Sequence, residues 1–458
     1  MTKLSVVTAL LLGSGVLASA ADDLASAFKE GKLDGRIRAQ YFNTDWDDNS
    51  VKGKNGSDAN GLAIGGSLIY KTAPLYGISA GTGLYTTQNP AGWTEANDGA
   101  TSTTSKDLFS RDTGQPYGEG YAVLAEAYLQ VDIAKTKGKG GHFLMNNPWI
   151  TPNDTKMIPI SVEGYEGISN DIANTTIQLD YADKLKERGM TYFGNMTDTG
   201  DTPLKIKNYY SGGTHGDAPS VIVAGIKNKS INGLELQVWG MNWNNLANQA
   251  LVEANYALEA GDVIFGFGAR YIRQYDKGAG AILAPKTTNG DNDNSIDSSL
   301  WAFRTTADYR AVKLLLSLSQ TNKNGDMIAP WRGFLTQGYT RSMTVTDWNA
   351  NTKGYKAQID YDFNTIVSGL STSISYSYYN RDPSKTPYAS ATDRLFGNGD
   401  TRQTNLDIVY KLAGSFKGTE LKARFMDQNN DLDGTKEDGT SMINTSNKEM
   451  RLEANYRF

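Results

Sequence analysis

Eighteen stretches of this chain alternate apolar and polar residues, and after residue 20 no apolar run is long enough to cross a bilayer as a helix. They lie near residues 33–43, 60–71, 74–86, 118–132, 139–145, 173–182, 189–197, 219–228 and 233–243. The series continues at 249–259, 262–274, 298–309, 311–320, 351–363, 369–380, 401–412, 418–428 and 447–458. Side chains on an extended backbone alternate with a period of two, so each stretch presents one apolar and one polar face. In 298–309, Trp301, Phe303 and Tyr309 share one face while Arg304, Thr306 and Asp308 take the other. In 351–363, Tyr355, Ala357, Ile359, Tyr361 and Phe363 oppose Lys356, Gln358, Asp360 and Asp362. Most stretches are about ten residues long, the length of a tilted transmembrane strand.

The connections sharpen this. Long ones at 44–59, 87–117, 146–172, 198–218, 275–297, 321–350, 381–400 and 429–446 alternate with turns of a few residues, with one short exception at 244–248. Long loops on one side and tight turns on the other are the plan of an outer-membrane barrel. The expected fold is therefore an all-β, transmembrane, antiparallel β-barrel of about 18 strands. The closing strand "EMRLEANYRF" fits it. Met450, Leu452, Ala454, Tyr456 and Phe458 would face lipid, Arg451, Glu453 and Arg457 the lumen, and Phe458 the interfacial aromatic girdle. Pairing of this strand with the first would leave no open edge. Phe458 is also the expected handle for the barrel assembly machinery.

The first twenty residues, "MTKLSVVTALLLGSGVLASA", have a basic Lys3, an apolar run and a small-residue close, which together predict a signal peptide cleaved after Ala20. The remainder, 21–458, reads as one barrel, with 21–32 a short periplasmic lead that is either a helix or flexible. There is no cysteine, which excludes a disulfide scaffold, and a net charge of −5 argues against nucleic acid as a partner. The expected location is the outer membrane of a Gram-negative bacterium. Outer-membrane lipid and small hydrophilic solutes are then the partners, and a homotrimer is compatible with the plan.

Parity places a cluster of cations on the lumen face of adjacent strands. Arg36 and Arg38 stand on the first strand; Lys411, Lys422, Arg424, Arg451 and Arg457 stand on the last three. Such a wall would guide anions by charge, as rings of charged side chains do in other pores. The alternative is mutual pairing with Asp34, Glu420 or Glu453 that merely solvates the lumen.

The connection "NNPWITPNDTKMIPISVEGYEGISN" is too apolar to lie free in water, holding Trp149, Ile150, Met157, Ile158 and Ile160. It is expected to fold into the lumen and narrow it, with Asp154, Lys156, Glu163 and Glu166 as constriction residues. This segment resembles the constriction of OprD-like porins, although Lys156 stands where arginine is usual and Val162 where phenylalanine is usual. "GFLTQGYTRSMTVTDWNANTKGY", residues 333–355, resembles the second inward loop of the campylobacterial branch. The resemblance implies an eighteen-stranded barrel, a constriction built from loops 146–172 and 321–350, and a basic ladder opposite an acidic side. It also implies passage of small solutes, often carboxylates or basic amino acids.

Other chemistry is poorly supported. Two histidines, His142 and His215, and no cysteine give neither a catalytic triad nor a zinc set, so no enzyme and no cofactor is expected. "NNDLDGTKEDGT" places Asn429, Asp431 and Asp433 like half a calcium loop, but Thr440 falls where the bidentate glutamate belongs. The function expected is selective diffusion of small hydrophilic, carboxylate-bearing or zwitterionic solutes. The alternative is a barrel that only anchors a surface adhesin or receptor.

Overall fold

The computed structural model describes residues 21–47, 58–90, 107–110, 118–198, 218–279, 295–328, 331, 338–345, 349–382, 399–431 and 446–458. Its strands are β1 (Lys32–Trp46), β2 (Ala59–Lys71), β3 (Ile78–Gln88), β4 (Tyr121–Ile133), β5 (Thr136–Phe143), β6 (Ser161–Ser169) and β7 (Thr175–Lys186). Next come β8 (Gly194–Asn195), β9 (Val221–Ile231), β10 (Leu234–Trp243), β11 (Ala247–Ala260), β12 (Val263–Asp276), β13 (Ser298–Tyr309) and β14 (Val312–Thr321). The last are β15 (Lys353–Asp362), β16 (Leu370–Asn380), β17 (Thr401–Lys411), β18 (Thr419–Asn430) and β19 (Asn447–Arg457). β8 is a two-residue graft on the end of β7. The other eighteen pair antiparallel with their neighbours in sequence, β7 with β9 across the graft, and β1 closes on β19. Every backbone ladder is thereby satisfied, which is the condition for a sheet to sit in lipid.

Two expectations about individual strands were wrong and cancelled in the count. Residues 161–169 form β6, although no strand was expected there, and 189–197 hold only the graft β8. With β6 in place the connections alternate strictly, and 244–246 becomes an outer loop that happens to be short. The lead is partly helical. Asp23 caps α1 (Leu24–Lys29) by accepting from Ser26 N–H at 2.7 Å. Ala27 is the residue it buries, against Ala21 and Ala73, while Leu24 and Phe28 are exposed.

Rows of exposed Leu, Ile, Val, Phe and Tyr cover the outer face, as in Leu314, Leu316 and Leu318 of β14, whose neighbours Ser317 and Ser319 are buried inside. In water that band would be an aggregation hazard; against acyl chains it is the required surface. At the seam, Gly35 and Phe458 exchange both backbone hydrogen bonds, at 2.9 and 3.1 Å. A Cβ on Gly35 would meet the Phe458 ring at 2.2 Å, so glycine there is what lets the ring lie across β1. The sidedness is testable because the chain has no native cysteine. Asn324→Cys, in the β14–β15 loop, should react with an impermeant maleimide on whole cells. Asp262→Cys, in the β11–β12 turn, should react only after the outer membrane is permeabilised; the reverse pattern would invert the topology.

Candidate functional site

The β5–β6 loop, 144–160, leaves the wall and crosses the lumen, held at both ends by apolar contacts. At one end the Asn147 side chain accepts from the N–H groups of Trp149 and Ile150, at 3.0 and 2.8 Å, which turns the chain inward. Trp149 is fully buried with Ile150, Trp239, Leu251, Ile272, Ile328 and Trp331. Its indole N–H donates to Gln249 Oε1 at 2.6 Å. Gln249 in turn donates to Gln274 at 2.8 Å and to the carbonyl of Ile328 at 2.7 Å. Gln274 accepts from Ile328 N–H and donates to the carbonyls of Ile296 and Asp326. Two wall glutamines thus clip the β5–β6 loop and the β14–β15 loop, 322–352, to the same place.

At the other end, Met157 and Ile158 pack on Phe42, Ala63, Tyr85, Leu108 and Phe109. Between these anchors the backbone turns at Asn153, whose φ is +42°, and presents Asp154 to the wall. The Asp154 carboxylate pairs with Arg36, including a 3.1 Å bond from Nη2, and with Arg38 at 3.0 Å. Arg38 also reaches Glu453 at 3.3 Å and Asn455 at 2.7 Å. Arg36 and Arg38 are buried while Asp154 stays exposed to the lumen, so removal of Asp154 would leave two buried cations uncompensated.

Facing Asp154 across a polar cavity of about 170 Å³ stands the rest of the ladder. The lining includes the cations Arg38, Lys422, Arg424, Arg451 and Arg457 and the carboxylates Asp154, Glu420 and Glu453. Arg424 and Arg451 are direct cross-strand partners, a like-charge pairing that ordinarily destabilises a sheet. Asp407 offsets it with two bonds to Arg424, at 2.9 and 2.8 Å, and Glu449 pairs with Arg451. Lys422 makes no hydrogen bond or ion pair to another described residue.

The β14–β15 loop adds a cation of its own. Burial pushes the Arg341 guanidinium down to about 10, with Arg424, Arg451 and Arg188 repelling it, yet it stays charged at neutral pH. Lys356 on β15 donates to its carbonyl at 3.1 Å. Next to it, the Tyr339 ring lies between the guanidinium groups of Arg270 and Arg304, 4.5 Å from each. On β4, β6 and β7, Glu126, Glu166 and Asp180 form an acidic side, Glu166 within 3.5 Å of Lys139.

This closed barrel has known counterparts. The family described as "outer membrane porin, OprD family" matches residues 27–458. The chain belongs to the OprD family. Solved structures agree in fold. OpdK of Pseudomonas aeruginosa, crystallised with vanillate, has a TM-score of 0.73 at 14% identity, over 94% of this chain and 99% of that one. OccK9 (OpdG) of the same organism has a TM-score of 0.74 at 15% identity, with the same coverage. OccAB2 of Acinetobacter baumannii has 0.71 at 18% identity, again over 94% and 99%. No curated protein sequence matches the chain. An OprD-family barrel is a porin of the Gram-negative outer membrane, a channel family for small solutes.

Several expected site residues of this OprD-family porin sit elsewhere than the sequence suggested. Glu163 and Glu166 lie on β6, because the strand already begins at Ser161. Glu166 faces the lumen, but Glu163 shares the outward face of Tyr165 and pairs there with His142 at 3.1 Å and Lys184 at 3.2 Å. Lys156 is on the loop but turned to the wall, its ammonium 5.3 Å from the centre of the Phe42 ring. Lys411 is exposed at the end of β17, cross-strand from Glu420. Of the calcium candidates, Asn429 is within β18, the Asp431 carboxylate accepts from Arg402 at 2.8 Å, and Asp433 lies outside the described residues. Among the described residues no group of three acidic or histidine side chains could hold a metal. Gln249, Gln274 and Arg341 were missed. Their inward parity was readable for the two glutamines, but nothing in the sequence says which loop they would hold.

Proposed function

We propose that this porin passes small carboxylate-bearing solutes, drawn past Asp154 along the ladder formed by Arg36, Arg38, Arg341, Lys422, Arg424, Arg451 and Arg457. The observation that carries this is the cavity between loop and wall, where five cations face three carboxylates. A solute carboxylate entering there exchanges water for charge-assisted donors, and Lys422 has no hydrogen bond or ion pair to give up among the described residues. Two structural relatives were crystallised with carboxylates, OpdK with vanillate and OccK2 (OpdF) with glucuronate, which supports the same class here. The acidic side formed by Glu126, Glu166 and Asp180 favours solutes that also carry a positive group. An adhesin whose barrel is only an anchor gives no reason for a lined and narrowed lumen.

The reading extends to biogenesis and origin. The signal peptide is removed after Ala20, the assembly machinery recognises the strand ending at Phe458, and the chain comes from the campylobacterial branch. A homotrimer would be compatible with all of this. The test of solute class is a matched pair in liposome swelling: glucuronate against glucose, which differ mainly in the carboxylate. Faster entry of glucuronate, with the difference shrinking in high salt, is expected. Equal rates at low salt would remove the carboxylate from the proposal.

A further inference from the structure

Outside the lumen, the strand register marks where the hydrocarbon ends on one side of the barrel. Ala269, Phe303, Leu318, Tyr355 and Tyr378 are paired in one continuous row across β12 to β16. Phe303, Leu318 and Tyr355 are 50%, 39% and 48% exposed, and all face outward. The next outward row, towards the long loops, reads Tyr271, Trp301, Gln320, Lys353 and Asn380. A glutamine and a lysine would be costly against acyl chains, so this row lies at the interface, where aromatic and basic side chains collect.

A cavity of about 380 Å³ opens at that level, within the ~300–1,000 Å³ range of small-ligand sites. Its lining is Ser299, Trp301, Gln320, Asn322, Lys323, Asn324 and Asn351. The polar lining is built rather than loose. Asn322 accepts from Asn324 N–H at 2.9 Å through its side chain and from Asn351 N–H at 3.0 Å through its carbonyl. The Asn351 amide donates to Asp382 at 2.8 Å. Trp301, Gln320 and Lys323 make no side-chain hydrogen bond or ion pair to another described residue, and Lys323 is exposed. One indole face, a ring of amides and one lysine ammonium suit a phosphorylated sugar: ring C–H groups on the indole, hydroxyls on the amides, phosphate on the lysine. Lys353 flanks the cavity and adds positive potential, while Arg273 beside it is paired with Asp297 at 3.6 Å.

We propose that this cavity holds the phosphorylated sugar headgroup of the glycolipid in the outer leaflet. The row below it contacts that lipid's acyl chains. A solute in transit is excluded as the occupant because the site faces the membrane rather than the lumen. The proposal is independent of which solute the channel passes.

The test uses the full chain in detergent, with native mass spectrometry against three probes. They are deep-rough lipopolysaccharide, the same glycolipid after phosphatase treatment, and phosphatidylglycerol. The native protein should bind the phosphorylated glycolipid most tightly. The Trp301→Ala, Lys323→Gln double variant should bind it at least about fivefold more weakly, the factor one lysine supplies beside an anionic headgroup. Single-channel conductance of the variant should be unchanged, which shows that the barrel is intact. Glucosamine 1-phosphate should compete, but only far above the glycolipid concentration. Equal binding by native and variant proteins would overturn the site, and so would phosphatidylglycerol binding as tightly as the glycolipid. Competition by the free sugar phosphate at equal concentration would overturn the lipid as its source.

Discussion

A Trp149→Ala channel should conduct several-fold more current than the native one, with open-state noise that the native channel lacks. Trp149 is fully buried and is the largest side chain holding the β5–β6 loop to the β9–β13 wall. Truncation of a buried tryptophan costs about 3–5 kcal/mol, and here the loss falls on loop docking rather than on the barrel, whose ladders are untouched. The second anchor, Met157 and Ile158, keeps the loop tethered, so the loop would exchange between docked and undocked positions. Trp149→Phe separates the two contributions at this site. It keeps an aromatic ring in the pocket and loses the bond to Gln249 Oε1, worth about 1 kcal/mol net, with only part of the packing, so its conductance should stay much nearer native than that of Trp149→Ala. Planar-bilayer recordings on the three proteins decide. If Trp149→Ala inserts normally and conducts like the native channel, the loop does not set the width of the pore.

That loop also shows what the sequence could and could not reveal. Its inward course was legible because Trp149, Ile150, Met157 and Ile158 cannot be left in water, and because the segment resembles a known constriction. Its end was not. The outward face of β6 is Glu163, Tyr165, Gly167 and Ser169, so the strand carries almost none of the apolar alternation by which lipid-facing strands are recognised. Residues 189–197 erred the other way: Met190 and Met196 are buried and Tyr192 is 53% exposed, which imitates a strand face without forming one. Period-two patterning reports where side chains need apolar surroundings, and a folded loop can supply those as well as lipid can. The ladder cations were readable because parity is local. Their partners were not, since Asp154 meets Arg36 and Arg38 only through a loop that crosses more than a hundred residues of sequence.

Replacing Arg38 and Arg424 together with glutamine should abolish the anion preference of the pore at low salt. Five cations and three carboxylates line the cavity between Asp154 and the wall; without Arg38 and Arg424 three of each remain. Both changes also strip a partner from a carboxylate that stays behind. Asp154 and Glu453 lose Arg38, and Asp407 loses both of its bonds to Arg424. Two unit charges about 4 Å apart interact by about 4 kcal/mol at an effective dielectric of 20 and about 1 kcal/mol in bulk water. A narrowed lumen lies between these limits, so a change of two charges exceeds thermal energy. The zero-current potential in a salt gradient should move towards that of a cation-preferring channel. The shift should fade as ionic strength rises and the Debye length falls below the width of the constriction. Asp154→Asn should move it the other way, because Arg36 and Arg38 then face the solute path without their shared carboxylate. An unchanged reversal potential in the double variant, at low salt and with conductance intact, would mean that ions do not pass between this loop and this wall.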